Sequence, residues 1–238
     1  MNGSALITGA ATRIGKEIAL GLAALGNNIV VHYMSSKVQA EQVVREAKSF
    51  GVQAESIKAD LLNDNEVNGL ITRASALIGS PLNILVNNAS IFEYDNIETA
   101  SIESWNRHIG SNLKAPLFLM QEFSKQVIDV VIDSNGENVP QGNVVNIVDQ
   151  RVLKKTPEFF TYSLAKMGLW SMTQTGAQAL APKIRVNAIA PGPTLKGHRQ
   201  QKEHFERQRQ NTVLKRGSAP AEILEALKFI LKTPSITG

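Results

Sequence analysis

Cysteine is absent from this chain of 238 residues, which excludes disulfide frameworks, thiolate nucleophiles and cysteine-ligated zinc or iron–sulfur centres together. No apolar run approaches the roughly 18 residues of a membrane-spanning helix. The opening MNGSALITGA has no basic patch followed by an apolar core, so neither a membrane partner nor secretion is expected, and a cytoplasmic address is. A strong charge of one sign is also lacking. The formal net charge is +4, and residues 196–216 alone hold seven lysines and arginines against Glu203 and Glu206, leaving the remainder about neutral. Phe205 is the lone aromatic of that stretch. It therefore reads as a solvated amphipathic helix or an anchor for an anionic ligand, and no nucleic-acid partner is expected. Linkers and tandem repeats are missing as well, and no metal site is expected. With 43% hydrophobic and 19% charged residues, the chain is neither disordered nor fibrous, and one domain over 1–238 is the expectation.

What the chain has is a rhythm. Short aliphatic runs alternate with amphipathic stretches: SALI before 14–25, NNIVVHY before 37–50, AESIKA before 64–78, then NILVNN. The second half continues with a helical stretch over 102–131, a GNVVNIV strand, a helix over 157–180 and a KIRVNAIA strand. Strands that are apolar on both faces need helices on both faces, and successive βαβ units wind into a parallel sheet. The expected fold class is α/β: a Rossmann-like doubly wound parallel sheet, with ligands outside the strand C-termini. Pro116 marks a kink or a boundary within 102–131, and SNGENVPQG is a loop.

SALI runs at once into TGAATRIG and a helical pattern, which puts Gly9 and Gly15 at a turn and a first helical turn. A pyrophosphate suits that place, because glycine admits close backbone approach and a helix N-terminus offers unpaired N–H groups. A tight strand-to-helix turn uses the same glycines, and the strict GxGxxG fingerprint is absent. The second strand ends in HYMSSK, without the acidic residue that binds an NAD ribose. Ser35, Ser36, Lys37 and Arg13 instead suit the 2′-phosphate of NADP(H), Lys37 being otherwise a solvated helix-start residue. Asp60, in KADL, accepts from an adenine amino group or caps a turn.

Tyr162 and Lys166, in YSLAK, are four apart and share one helix face. A phenol titrates near ~10, and a neighbouring ammonium stabilises its phenolate and makes it a proton donor and acceptor nearer neutrality. A surface packing pair has the same spacing.

TGAATRIG, KADL, NNAS, Asn112, Asp149, YSLAK and VNAIAPG together resemble, in order and spacing, the short-chain dehydrogenase/reductase family over nearly the whole chain. The resemblance implies nicotinamide-dependent oxidoreduction of a small-molecule substrate. Tyr162 would be the proton donor, Lys166 would hold the nicotinamide ribose, and Asn112 would support a water-linked proton path. It implies further that Ile14, Tyr33, Leu61, Asn88 and Ala89 flank the cofactor and that Pro191 and Gly192 lie beside the nicotinamide. Asn88 as a strand-end cap and Pro–Gly as a turn are the plain alternatives. Family members usually continue beyond a segment like the final SITG through another strand that helps form tetramers, and a homotetramer is expected.

Asp149 stands where most of the family carries serine, thirteen positions before the tyrosine. A carboxylate suits a substrate nitrogen better than a ketone oxygen. Arg13, Ser90 and Phe92 also resemble the family's pteridine reductases, in which an aromatic ring stacks on the pterin. The expected substrate site is Arg13, Ser90, Phe92, Asp149 and Tyr162, and the expected activity is NADPH-dependent reduction of a dihydropterin or dihydrofolate. The alternatives are a generic carbonyl reductase, such as a 3-oxoacyl thioester reductase, and a catalytically idle nucleotide-binding scaffold. Residues 193–216, turn-rich and then polar, are expected to cover the substrate.

Overall fold

The structure is a computed structural model that describes residues 3–127, 129–197 and 200–238. Its strands are β1 (Ser4–Ile7), β2 (Asn28–Tyr33), β3 (Ala54–Lys58), β4 (Ile84–Asn87), β5 (Val131–Ile132), β6 (Asn138–Val139), β7 (Gly142–Ile147) and β8 (Ile184–Ile189). Its α-helices are α1 (Arg13–Ala24), α2 (Lys37–Lys48), α3 (Asp64–Val67), α4 (Leu70–Ile78), α5 (Ile102–Ile109), α6 (Ala115–Gln126), α7 (Phe160–Leu180), α8 (Lys202–Gln210) and α9 (Pro220–Lys232). Six strands pair in parallel in the order β3-β2-β1-β4-β7-β8, while β5 and β6 form a separate antiparallel hairpin.

Alternation along β1 explains why Ala5, Leu6 and Ile7 are apolar in succession. Ala5 and Ile7 face one core with Ile18 and Leu22 of α1 and Leu227 of α9. Leu6 faces the other, with Leu70 and Ile71 of α4 and Leu119 and Phe123 of α6. Each large side chain buried this way contributes about 1.5–3 kcal/mol, so both sheet faces are closed by packing. From β1 the chain winds outward through β2 and β3, then returns to β4 on the other side of β1. The reversal opens a crevice at the C-terminal ends of β1 and β4, where ligands of such sheets bind. Inside it, Asn87 Nδ2 donates to Asn146 Oδ1 at 2.9 Å, and Asn146 Nδ2 donates to Thr173 Oγ1 at 2.9 Å. These bonds lock the ends of β4 and β7 to α7.

Two of the expected helices are broken. The stretch 102–131 is broken into α5, a π-helical turn over Gly110–Lys114 and α6, with Pro116 in the first turn of α6, where its missing donor costs nothing. Val131 belongs to β5, and Ile128 lies outside the described residues. The stretch 64–78 splits into α3 and α4 at Gly69, whose φ is +76°. At the far end, the Gly238 N–H donates to the Val186 carbonyl at 2.9 Å and Thr237 Oγ1 accepts from the Val186 N–H at 3.0 Å. Among the described residues, no helix is long and apolar enough to cross a membrane.

Candidate active site

The turn after β1 is stitched to its surroundings by side chains. Thr8 Oγ1 accepts from the N–H groups of Asn88 and Ala89, both at 2.9 Å, and Asn88 Nδ2 donates to the Thr8 and Gly9 carbonyls at 2.8 and 3.2 Å. Gly9 has φ +63°, and a Cβ on Gly15 would meet the Gly9 carbonyl at 2.4 Å. Both glycines are therefore required by the turn itself. His32 lies under it, accepting the Gly9 N–H on Nδ1 at 3.0 Å and placing Nε2 at 3.0 Å from the Ala59 carbonyl. Because an N–H only donates and a carbonyl only accepts, the proton sits on Nε2. Burial lowers the His32 pKa to about 4, against the Ala59 hydrogen bond, so the ring stays neutral.

Thr12 precedes α1 without a side-chain cap, and the first turn of α1 has no acidic residue. Ile14 is half-buried there. The bare N-terminus thus fits an anionic group such as a dinucleotide pyrophosphate. At the end of β2, Ser35 and Lys37 are exposed and Ser36 caps α2 without a side-chain bond; Lys37 stands 3.7 Å from Glu41. Hydroxyls and an ammonium gathered there suit a phosphate. Three other expected cofactor residues also make contacts within the protein. Tyr33 and Leu61 are buried in the two cores, and Asp60 Oδ1 caps the Leu62 N–H at 2.9 Å.

At the reacting end, Tyr162 and Lys166 are buried on α7 at 5% and 2% exposure. Asp149, just past β7, accepts the Tyr162 hydroxyl on Oδ2 at 2.9 Å and the Arg151 N–H on Oδ1 at 2.8 Å. Ser90 Oγ donates to the Ile91 carbonyl at 3.4 Å. The expectation that Lys166 makes this phenol more acidic is corrected by the geometry. Burial, then the Asp149 charge, push the Tyr162 pKa well above its ordinary value. Lys166 Nζ lies 5.8 Å from the ring centroid and donates to the Ile147 carbonyl at 2.8 Å. Burial draws the Lys166 pKa down to about 8, and Asp149 opposes the change. Tyr162 is thus held as a neutral phenol.

Asn112, in the π-helical turn, spends its side chain on the loop after β4. Its Oδ1 accepts the Ile91 N–H and its Nδ2 donates to the Ile91 carbonyl, both at 2.9 Å. This clamp presents Phe92, which is 52% exposed, edge-on to Tyr162 at 4.7 Å and stacked on Phe159 at 4.2 Å. A second clamp holds the same loop to α7. Asp95 accepts the Thr161 N–H at 3.1 Å, the Thr161 hydroxyl, and Ser104 Oγ at 3.0 Å. Burial alone would raise the Asp95 carboxyl, but these bonds hold it below its ordinary value. His108 takes the Glu93 N–H on Nε2 at 3.2 Å, so its Nδ1–H donates to Thr161 Oγ1 at 2.7 Å.

The last side of the crevice follows β8. The Pro191 carbonyl accepts from the Gln150 N–H at 3.2 Å, and the Gly192 carbonyl accepts from Thr194 Oγ1 at 3.0 Å. Arg13 was expected near phosphate and substrate; its guanidinium is instead spent on the carbonyls of Leu195 and Lys196 at 3.0 and 2.9 Å. Its φ of +57° is the left-handed conformation that glycine adopts without strain. Within 193–216, α8 has no buried residue, while His198 and Arg199 lie outside the described residues.

Five residues around this site carry no local sequence signal: His32, Asp95, His108, Arg151 and Phe159. A lone histidine in an apolar strand reads as core, and the left-handed backbone of Phe159, φ +55°, has no glycine to announce it.

The family model for short chain dehydrogenase matches residues 4–207. The chain is 35% identical over 193 residues to the 3-oxoacyl-[acyl-carrier-protein] reductase FabG of Staphylococcus epidermidis, covering 81% of this chain and 75% of that protein. It is 32% identical over 238 residues to the 3-oxoacyl-[acyl-carrier-protein] reductase of Synechocystis sp., covering 98% and 92%. Among solved structures, FolM alternative dihydrofolate reductase 1 from Brucella suis, in complex with NADP, has a TM-score of 0.91 at 41% identity over 99% of this chain and 91% of that one. Landomycin C-6 ketoreductase LanV, with bound NADP and rabelomycin, has a TM-score of 0.84 at 27% identity, covering 99% and 91%. With sheet order, crevice and family match in agreement, the chain belongs to the short-chain dehydrogenase family of oxidoreductases.

Proposed function

We propose that the protein is an NADPH-dependent reductase of a pteridine, of the dihydropterin or dihydrofolate type. The observation that carries this reading is the Tyr162 hydroxyl donating to the Asp149 carboxylate at 2.9 Å, beside the exposed ring of Phe92. A ketone oxygen needs a donor opposite it, and a carboxylate offers none. A pteridine edge presents N–H and amino groups that a carboxylate accepts. The Brucella suis FolM structure, an alternative dihydrofolate reductase by its description, supports the same substrate class.

The cofactor, when bound, supplies a hydride to the carbon of a ring C=N bond. Tyr162 gives its hydroxyl proton to the nitrogen, so the C=N bond becomes CH–NH. Asp149 orients the nitrogen-bearing edge and holds the phenol protonated until the substrate replaces it as acceptor. Lys166 holds the nicotinamide ribose and returns a proton toward Tyr162. Gly9, Ile14 and Gly15 cradle the pyrophosphate at α1, and Ser35, Ser36 and Lys37 hold the 2′-phosphate. Asn88, Ala89 and Ser90 form the floor, with Pro191 and Gly192 beside the nicotinamide. Residues 193–216 cover the substrate, tethered by Arg13. A homotetramer in the cytoplasm completes the reading, its contacts supplied by Trp105, Leu117 and Phe118, which stand exposed on α5 and α6.

The second reading, a 3-oxoacyl thioester reductase, is favoured by the FabG relatives at 35% identity. Asp149→Ser separates the two. Pteridine turnover should fall about a hundredfold while any thioester turnover is maintained or rises; unchanged pteridine turnover would remove the argument from the carboxylate.

A further inference from the structure

The loop after β7 carries a cation that the proposed reaction leaves unused. Arg151 follows Asp149 by two residues, and its N–H is bound to Asp149 Oδ1 at 2.8 Å, so its root is fixed to the reacting end of the crevice. Its guanidinium stands 4.8 Å from the Phe159 ring centroid and makes one hydrogen bond, from Nη1 to Thr156 Oγ1 at 2.5 Å. Among the described residues no carboxylate lies within 4.0 Å of it. A half-buried guanidinium with free donors and no anion is suited to a ligand's carboxylate, which it binds in a fork.

The rings lead outward to it. Tyr162 meets Phe92 at 4.7 Å, Phe92 stacks on Phe159 at 4.2 Å, and Phe159 carries the guanidinium. Phe159 takes its place with a φ of +55° and a ψ of 50°, a conformation that a bulky residue adopts only when the surroundings impose it, and such outliers gather at ligand sites. Lys154 and Lys155 are exposed on the same loop, keeping the mouth of the crevice cationic.

We propose that Arg151, held against the covered Phe159 ring, forms a tail subsite in which a ligand's carboxylate pairs with the guanidinium. The substrate class is then a pteridine that bears a carboxylate on its tail, in preference to a bare pterin. The proposal rests on the pteridine reading of Asp149 and Tyr162.

The test is steady-state kinetics of wild type, Arg151→Gln and Arg151→Lys with dihydrofolate and with dihydrobiopterin, which lacks a carboxylate. The readout is the ratio of the two kcat/KM values. Arg151→Gln should lower that ratio about tenfold through the KM for dihydrofolate, and Arg151→Lys should recover part of it. Added salt should reduce the wild-type preference and leave the Gln variant's ratio flat. An unchanged ratio, or an equal loss on both compounds, would overturn the subsite and leave the pteridine reading standing. Wild-type enzyme that reduces neither compound would instead overturn the pteridine reading and the subsite with it.

Discussion

The cofactor half and the substrate half of the crevice are built on opposite principles. Around β1, Thr8, Asn88, Gly9 and His32 bond chiefly to backbone, so these four residues are answered within the protein. That half is preformed and waits for an anion. Around Tyr162, the loops are held from behind by Asn112, Asp95 and His108, while the faces toward the crevice keep Phe92 exposed and Arg151 without an anion. Rigid support with an unfinished front is what a substrate site needs, since binding energy is best realised against groups already in place. On the proposed reading, the pyrophosphate is met by backbone geometry, and the substrate by a few side chains.

The largest expected effect tests the substrate half. Tyr162→Phe removes the proton that the proposed reaction gives to the substrate and should lower kcat about a thousandfold with NADPH affinity retained. Stopped-flow turnover beside cofactor fluorescence titration measures both, and near-normal turnover would dismiss Tyr162 as the donor.

A pH series tests the cofactor half. His32 titrates near 6.5 when unfolded and at about 4 when folded. Between those values the unfolded chain binds the extra proton, so stability falls as pH drops from 6.5 toward 4, by about 3 kcal/mol in all. Its contribution is complete above pH 6.5. Denaturant titrations across this range should show the slope in wild type and a weaker slope in His32→Asn. Asn also offers an acceptor to Gly9, so that variant should keep much of the NADPH affinity that His32→Leu loses.

Thr161→Val asks whether the rear clamps matter to chemistry. Removing the hydroxyl between His108 and Asp95 should cost about 1–3 kcal/mol of stability, and kcat should fall further than NADPH affinity. A change in stability alone would reduce the clamp to packing. The smallest effect is expected for Arg13→Gly, where relief of about 1 kcal/mol of left-handed strain offsets the lost bonds to Leu195 and Lys196. Stability should hardly move while the KM for substrate rises a few fold.

The fold was legible because both-face burial writes itself into the strands: SALI and GNVVNIV carry apolar residues at successive positions because Leu6 and Val144 pack on one face and Ile7 and Val145 on the other. Tyr162 and Lys166 were legible because helical spacing alone brings them to one face. The break between α5 and α6 was half legible, through Pro116, but the π-helical turn has no residue that announces it. What stayed hidden depends on contacts between distant segments. Arg13 meets a loop 182 and 183 residues away, and His32 meets Gly9 only because β2 pairs with β1. The resemblance singled out Asn112, yet only the folded chain shows that its amide is spent on Ile91.

The most direct test of the central claim is NADPH oxidation by wild-type enzyme with a dihydropterin, dihydrofolate and a 3-oxoacyl thioester in parallel, with Tyr162→Phe as the blank. Pteridine reduction abolished in the blank, with little or no thioester reduction, is the predicted result. Turnover confined to the thioester would contradict it, leaving Tyr162 as the proton donor and removing the pteridine from Asp149 and Phe92.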